Sequence, residues 1–323
     1  MALFKKKPKN TFYDLTEILK LDARYNIIFG MRSNGKTYAV LKYALERYVK
    51  GEGQLALVRR WDIDIKGMKA SQYFNSLCYN GEGKNIVEEL TGGKYNNVYY
   101  YSGRYYLSKY DEKTKETIKD ENPFCYTFAL STMEHDKGSS YPEITTVLFD
   151  EFISRDYYLP DEFVYFMNVL STIIRQRDNV KIFMCGNTVN KYNPYFEEMG
   201  LRHAKLMKAG DIEEYTTVKG LKIAVNYSDA PSEGRPSDIY FSFDNPKLQM
   251  ITGGEWELDI YPHNPIRKVK PSEVLYNYFI EFDHELLQCE IILKDNSYYT
   301  YIHKKTTPLK DEDSDLIFSN KTD

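Results

Sequence analysis

Eight consecutive residues, Gly30-Met31-Arg32-Ser33-Asn34-Gly35-Lys36-Thr37, have the spacing Gly-x-x-x-x-Gly-Lys-Thr. The stretch before them, residues 25–29, is short, apolar and β-rich, and residues 38–49 after them have helical periodicity. The pattern predicts a strand, a tight loop and a helix N-terminus. Such a loop turns its backbone N–H groups toward phosphate oxygens, and the helix dipole favours the negative charge. Lys36 then reaches the β- and γ-phosphates, and the Thr37 hydroxyl ligates Mg²⁺. Gly30 and Gly35 let the backbone turn and approach closely. Arg32 and Asn34, inside the loop, belong to the same nucleotide site.

A second stretch carries the chemistry further. In Thr145-Thr-Val-Leu-Phe-Asp-Glu-Phe152 a β-branched, apolar run leads straight into two carboxylates. A strand buried on both faces reads this way, and ligands of open α/β sheets bind at strand C-termini. There Asp150 orients the Mg²⁺ hydration shell and Glu151 polarises an attacking water. Residues 180–187 form another strand, ending at Asn187, whose amide can sense the γ-phosphate or hold the water. Together these features predict a doubly wound α/β phosphate-loop NTPase of the additional-strand, catalytic-glutamate type. Asn190-Lys191-Tyr192-Asn193 resembles a guanine-reading motif, but Asn193 replaces the aspartate that accepts the guanine donors, which argues for ATP over GTP.

Other elements are plainer. Residues 54–60 read as a strand ending in Arg59 and Arg60, which either hold phosphates or pair with Asp62 and Asp64. Lys66 and Lys69 follow in a polar stretch that can face a DNA backbone. Residues 95–110 read as a hairpin around Ser102-Gly103, inserted into an alternating α/β chain, and residues 110–122 as an exposed loop. Pro160-Asp161-Glu162 starts a helix with an apolar stripe from Phe163 to Ile174. Arg175 and Arg177 fall in its last turn, where they complement the helix dipole.

The 323 residues suffice for one large domain and a smaller one. We expect an ATPase domain over 1–227, a linker or lid over 228–260, and a small β-rich domain over 261–323 with a hairpin at 290–303 and an acidic tail. A net charge of -4 excludes a basic nucleic-acid coat and confines any DNA contact to local patches. One such patch is Lys5, Lys6, Lys7 and Lys9, which otherwise is a solvated terminus. Four scattered cysteines and five histidines without ligand spacing argue against a disulfide frame or structural metal. Apolar runs of strand length predict an intracellular chain with no membrane partner. The 30 tyrosines have no physical account beyond β-rich pairing and packing.

At this level the chain resembles the DNA-encapsidation (genome-packaging) ATPases of phi-29-like small tailed bacteriophages. The resemblance rests on four stretches: residues 30–39; Leu57-Val58-Arg59-Arg60; residues 147–152; and Ile174-Arg175-Gln176-Arg177 followed by Asn187 and residues 193–196. It covers roughly the first two-thirds of the chain. It implies a homo-oligomeric ring, a pentamer in the family, that drives double-stranded DNA into a procapsid through the portal. Lys36 and Thr37 match the phosphate- and Mg²⁺-binding pair, Asp150 the metal-orienting carboxylate, Glu151 the catalytic base, and Arg175 an arginine finger donated to a neighbour's site. A lysine acting in trans has no clean counterpart; Asp62 stands near its position, with Lys66 the nearest substitute. The resemblance also implies host cytoplasm with transient residence at the portal vertex, a packaging RNA in some relatives, and a C-terminal module like part of an RNase H fold without its acidic centre. Two rival functions remain open. One is a small-molecule phosphotransferase, the other a nucleotide-gated scaffold of the portal vertex that does not hydrolyse.

Overall fold

Ile27, Ile28 and Phe29 have no solvent exposure, which demands cover on both faces of the strand that holds them. The computed structural model shows how that cover is built. It describes residues 12–79, 83–111, 113–135, 140–154, 157–230, 270–282, 285–294, 296–309 and 315–319. The chain divides into two units, Met1–Asp259 and Ile260–Asp323. The basic arm at Lys5 to Lys9, most of the expected linker at 228–260, and most of the acidic tail lie outside the described residues.

In the first unit the strands are β1 (Tyr25–Gly30), β2 (Gln54–Arg59), β3 (Asn97–Tyr101), β4 (Arg104–Asp111), β5 (Glu116–Lys119), β6 (Cys125–Ala129), β7 (Ile144–Asp150), β8 (Lys181–Asn187), β9 (Ile212–Thr216) and β10 (Lys222–Ser228). The helices are α1 (Thr16–Leu19), α2 (Lys36–Val49), α3 (Gly67–Gln72), α4 (Asn75–Cys78), α5 (Ile86–Leu90), α6 (Glu162–Ile174) and α7 (Pro194–Glu198). One sheet holds all ten strands in the order β3-β4-β6-β2-β7-β8-β1-β10-β9, with β5 paired to β4. From β6 through β10 the neighbours are parallel. Strand β8 lies between β1 and β7.

The two faces of this sheet explain the apolar runs. On one face Val40, Leu41, Ala44 and Leu45 of α2 pack with Ile28, Leu57, Leu148 and Phe183. On the other, Phe166, Val169, Leu170 and Ile173 of α6 pack with Ile27, Phe29, Val147, Phe149 and Met184. Apart from Ala44, each such side chain contributes about 1.5–3 kcal/mol of burial. The stripe on α6 is therefore core, and the helix begins at Glu162 as the Pro-Asp-Glu signal predicts.

The hairpin forms as expected. Its turn residues Ser102 and Gly103 both have positive φ, 46° and 75°, the geometry of a tight twisted hairpin. One expectation fails: residues 110–122 are not simply a loop. Strand β5 lies within them and pairs antiparallel with β4 while all four of its residues stay exposed. An edge strand needs backbone pairing but no buried side chain, so its polar composition hid it.

The second unit has β11 (Val274–Phe282), β12 (Glu285–Lys294), β13 (Ser297–Lys304) and β14 (Ile317–Ser319), ordered β13-β12-β11-β14. The first three are antiparallel and β14 runs parallel to β11. The hairpin at 290–303 is the β12–β13 pair, with longer strands than its apolar core suggests. Among the described residues no helix is long and apolar enough to cross a membrane.

Candidate active site

Parallel register brings the site together. Gly30 ends β1 opposite Asn187 of β8 and Ser228 of β10, and Asp150 ends β7 opposite Cys185 of β8. The 30–37 loop, the two carboxylates and Asn187 therefore meet at one end of the strands. A Cβ on Gly30 would stand 2.7 Å from the Ser228 carbonyl oxygen, so the loop passes β10 too closely for any other residue. Gly35 takes φ 88° as it hands the chain to α2. The N–H groups of a helix's first turn have no acceptor within the helix, the arrangement that suits an anion.

Lys36 is 5% exposed. Among the described residues its ammonium bonds only neutral oxygens: the Met31 carbonyl at 2.5 Å, Asn34 Oδ1 at 2.9 Å, and the Gly30 carbonyl and Asn187 Oδ1, each at 3.4 Å. Burial lowers its pKa to about 8, against smaller raising effects of Cys185 and Asp150. A desolvated cation without a bonded counter-ion is the electrostatic complement of a phosphate. Asn34 is 1% exposed and supports this arrangement from below, its amide donating to Ser228 Oγ at 3.1 Å.

The Thr37 hydroxyl donates to Asp150 Oδ1 at 2.8 Å. A hydroxyl beside one carboxylate suits Mg²⁺, which keeps several waters and takes further oxygens from phosphates. Among the described residues no three His, Cys, Asp or Glu side chains form a metal cage, and a cation held in this way needs none. The other Asp150 oxygen, Oδ2, accepts from Arg59 Nη1 and from the Tyr73 hydroxyl, both at 2.8 Å. Arg59 Nη2 reaches Glu151 Oε2 at 2.6 Å. Burial opposes the Arg59 charge, but Asp150 and Glu151 outweigh it and raise its pKa. Burial, followed by Asp150, pushes the Tyr73 hydroxyl well up, so it stays a donor. The Glu151 side chain is 54% exposed and faces a cavity of about 340 Å³ walled by Arg32, Arg59, Asp150, Asn187 and Trp61. A larger cleft of about 580 Å³ lies between the end of α2 and the start of β2, at the opposite strand ends from the loop. Size does not select it, because the phosphate-binding groups are elsewhere.

The fold thus gathers Gly30, Arg32, Asn34, Gly35, Lys36, Thr37, Asp150, Glu151 and Asn187 into one place. Arg175 is not among them. It follows the last residue of α6, exposed, with φ 49°. The nearby Arg177 donates to the carbonyls of Tyr141 and Pro142 just ahead of β7, of Ile144 at its start, and of Ile173 in α6. Both arginines therefore lie at the strand N-termini, about 20 Å, the length of β7, from the end that holds the loop. Asn193 caps α7, accepting from the Phe196 N–H at 3.1 Å.

Sequence reading left two choices open at Arg59 and Arg60, and the fold takes neither in full. Arg59 has Asp64 only at 3.9 Å, behind its two main carboxylate partners. Asp62 pairs with Lys66 and Asp64 with Lys69, so the lysines considered for DNA are engaged in exposed ion pairs. Arg60 instead bonds Glu162. Tyr73 and Ser228 were missed, since both reach the site from segments with no local motif.

The fold and site define a class first: a mixed α/β, NTPase-like fold with a phosphate loop and paired carboxylates at one end of its parallel strands. Solved structures share the mixed α/β fold. The N-terminal domain of the DNA packaging ATPase from bacteriophage phi29 aligns over 70% of this chain and all of that one, at 24% identity and a TM-score of 0.53. The Phi-28 gp11 DNA packaging motor aligns over 96% of this chain and 84% of that one, at 19% identity and a TM-score of 0.56. The model of the Podovirus DNA encapsidation protein (Gp16) family matches residues 7–96 and 109–209. The chain belongs to that family. The unmatched residues between the two stretches, 97–108, cover β3 and the first five residues of β4, the hairpin that reads as an insertion. The DNA packaging proteins of Bacillus phage phi29 and Bacillus phage B103 are 28% and 30% identical over 191 and 187 residues. These alignments span 58% and 57% of this chain and 50% of each relative, so the chain spans about half their length.

Proposed function

We propose that this protein hydrolyses ATP to drive double-stranded phage DNA into a procapsid. One observation carries the reading: the buried Lys36 ammonium, bonded among the described residues only to neutral oxygens, stands at the end of the sheet that also holds the Thr37–Asp150 pair and Glu151. Thr37 and Asp150 would hold Mg²⁺, which when bound neutralises phosphate charge. Glu151 accepts a proton from the attacking water, Asn187 orients it, and Lys36 stabilises the charge that develops on the γ-phosphate. The placement of β8 between β1 and β7 supports the additional-strand, catalytic-glutamate branch. Arg175, remote from the loop of its own chain, supports a finger supplied by the next subunit of a ring seated at the portal. In the second unit, three antiparallel strands with a fourth parallel beside the first support a partial RNase H-like sheet that contacts nucleic acid.

The test is the steady-state ATPase rate of the full chain with and without duplex DNA, procapsids present, for wild type and Glu151→Gln. We expect stimulation by DNA and near-silence of the variant. An unchanged rate with DNA would remove the motor, and a fully active Glu151→Gln would remove the base.

A further inference from the structure

We infer that Arg60 is a positioning residue for Glu151, its guanidinium clamping the Glu151 and Phe152 carbonyls in the turn that aims the Glu151 carboxylate. The inference rests on Glu151 being the base of the proposed reaction. Strand β7 ends at Asp150, and the next residue, Glu151, takes φ 61°. A non-glycine residue holds that left-handed conformation only where its surroundings over-determine it. Arg60 supplies the constraint. Its Nη1 donates to the Glu151 carbonyl at 3.1 Å and its Nη2 to the Phe152 carbonyl at 2.7 Å. On the other side the Phe152 N–H donates to the Cys185 carbonyl of β8 at 3.2 Å.

The clamp is itself held. Arg60 Nε and Nη2 donate to the two oxygens of Glu162 at 2.7 and 2.9 Å, and the side chains are 7% and 0% exposed. Glu162 also accepts from the Tyr195 hydroxyl at 2.6 Å and the Leu159 N–H at 2.9 Å. The Tyr158 ring stacks on the guanidinium with its centroid 4.9 Å from Cζ. Four N–H donors of the rigid guanidinium fork are thus committed, a geometry no lysine can reproduce. The adjacent arginines at the end of β2 divide the work: Arg59 meets the Glu151 carboxylate and Arg60 its backbone. Among the described residues none of the bonds of Arg60 goes to the 30–37 loop, so loss of the clamp should move the base and leave nucleotide binding intact.

The experiment is a double-mutant cycle in the full chain with duplex DNA. The pair Arg60→Met with Glu162→Met removes the clamp without leaving a buried charge unpaired, an exchange that buried ion pairs often tolerate. Arg60→Lys and Tyr195→Phe are made as well, so that the question stands if the double variant does not fold. For each, kcat, the Kd for ATP and the melting temperature are measured, with Glu151 present and in a Glu151→Gln background. With Glu151 present we expect kcat to fall about 100-fold on loss of the clamp, the scale of a 1 Å misplacement, and by less for Tyr195→Phe. The Kd for ATP should stay unchanged. In the Glu151→Gln background the same variants should cost nothing further. A folded variant with unchanged kcat, or losses that simply add to Glu151→Gln, overturns the positioning role. If Glu151→Gln alone keeps the wild-type rate, the base assignment fails first, and this is seen separately.

Discussion

Lys36 is a charge taken out of water ahead of the ligand that would balance it. Burial brings its pKa down to about 8, so the sign of the pH effect can be worked out. Below that pH the folded, nucleotide-free chain bears the full cost of a desolvated ammonium. From about pH 8 upward toward the ordinary lysine range, the unfolded chain binds more protons than the folded one, and stability rises with pH. The melting temperature of wild type should therefore gain on that of Lys36→Met across this window. A bound triphosphate reverses the balance by favouring the ammonium, so nucleotide binding above about pH 8 should take up a proton. Calorimetry in two buffers of different ionisation heat would detect it, and identical heats in both would contradict the assignment.

Elements hold the site through their ends. Helix α6 buries its apolar stripe, but its C-terminus is tied by Arg177, whose four bonds join the Ile173 carbonyl to three carbonyls at and just ahead of the start of β7. Arg177→Ala should cost about 2 kcal/mol, the range for hydrogen bonds to a charged group. Urea unfolding measures it, and hydrogen exchange should quicken at the first residues of β7. The tie was not visible in sequence, where Arg177 reads as a charge complementing the helix dipole. Its real acceptors include residues 33 to 36 positions earlier in the chain, which only the packing of α6 against the sheet brings near. The same is true of β5, whose pairing with β4 follows from the path of the hairpin and not from its polar side chains.

For the whole molecule, the distance between Arg175 and the loop of its own chain matters most. Within one copy the two stand at opposite ends of the strands, whereas a head-to-tail ring, as proposed, would repeat a single contact that joins them. Mixing Glu151→Gln with Arg175→Ala, each near-silent alone, should restore part of the ATPase rate, because some interfaces then pair an intact Glu151 with an intact Arg175. A mixture as silent as its components would dismiss the shared site.

Local spacing determined the strand–loop–helix around residues 30–37, the buried run ending in Asp150 and Glu151, and the apolar stripe of α6. These depend on backbone geometry and periodicity, which act over a few residues. Tertiary structure alone decided that Tyr73 and Arg59 share Asp150 Oδ2, and that Arg60 spends its guanidinium on Glu162 and two carbonyls. A motif records which groups are present, but the partner of a buried charge is whichever group the packed chain leaves within about 3 Å, and desolvation makes that choice binding.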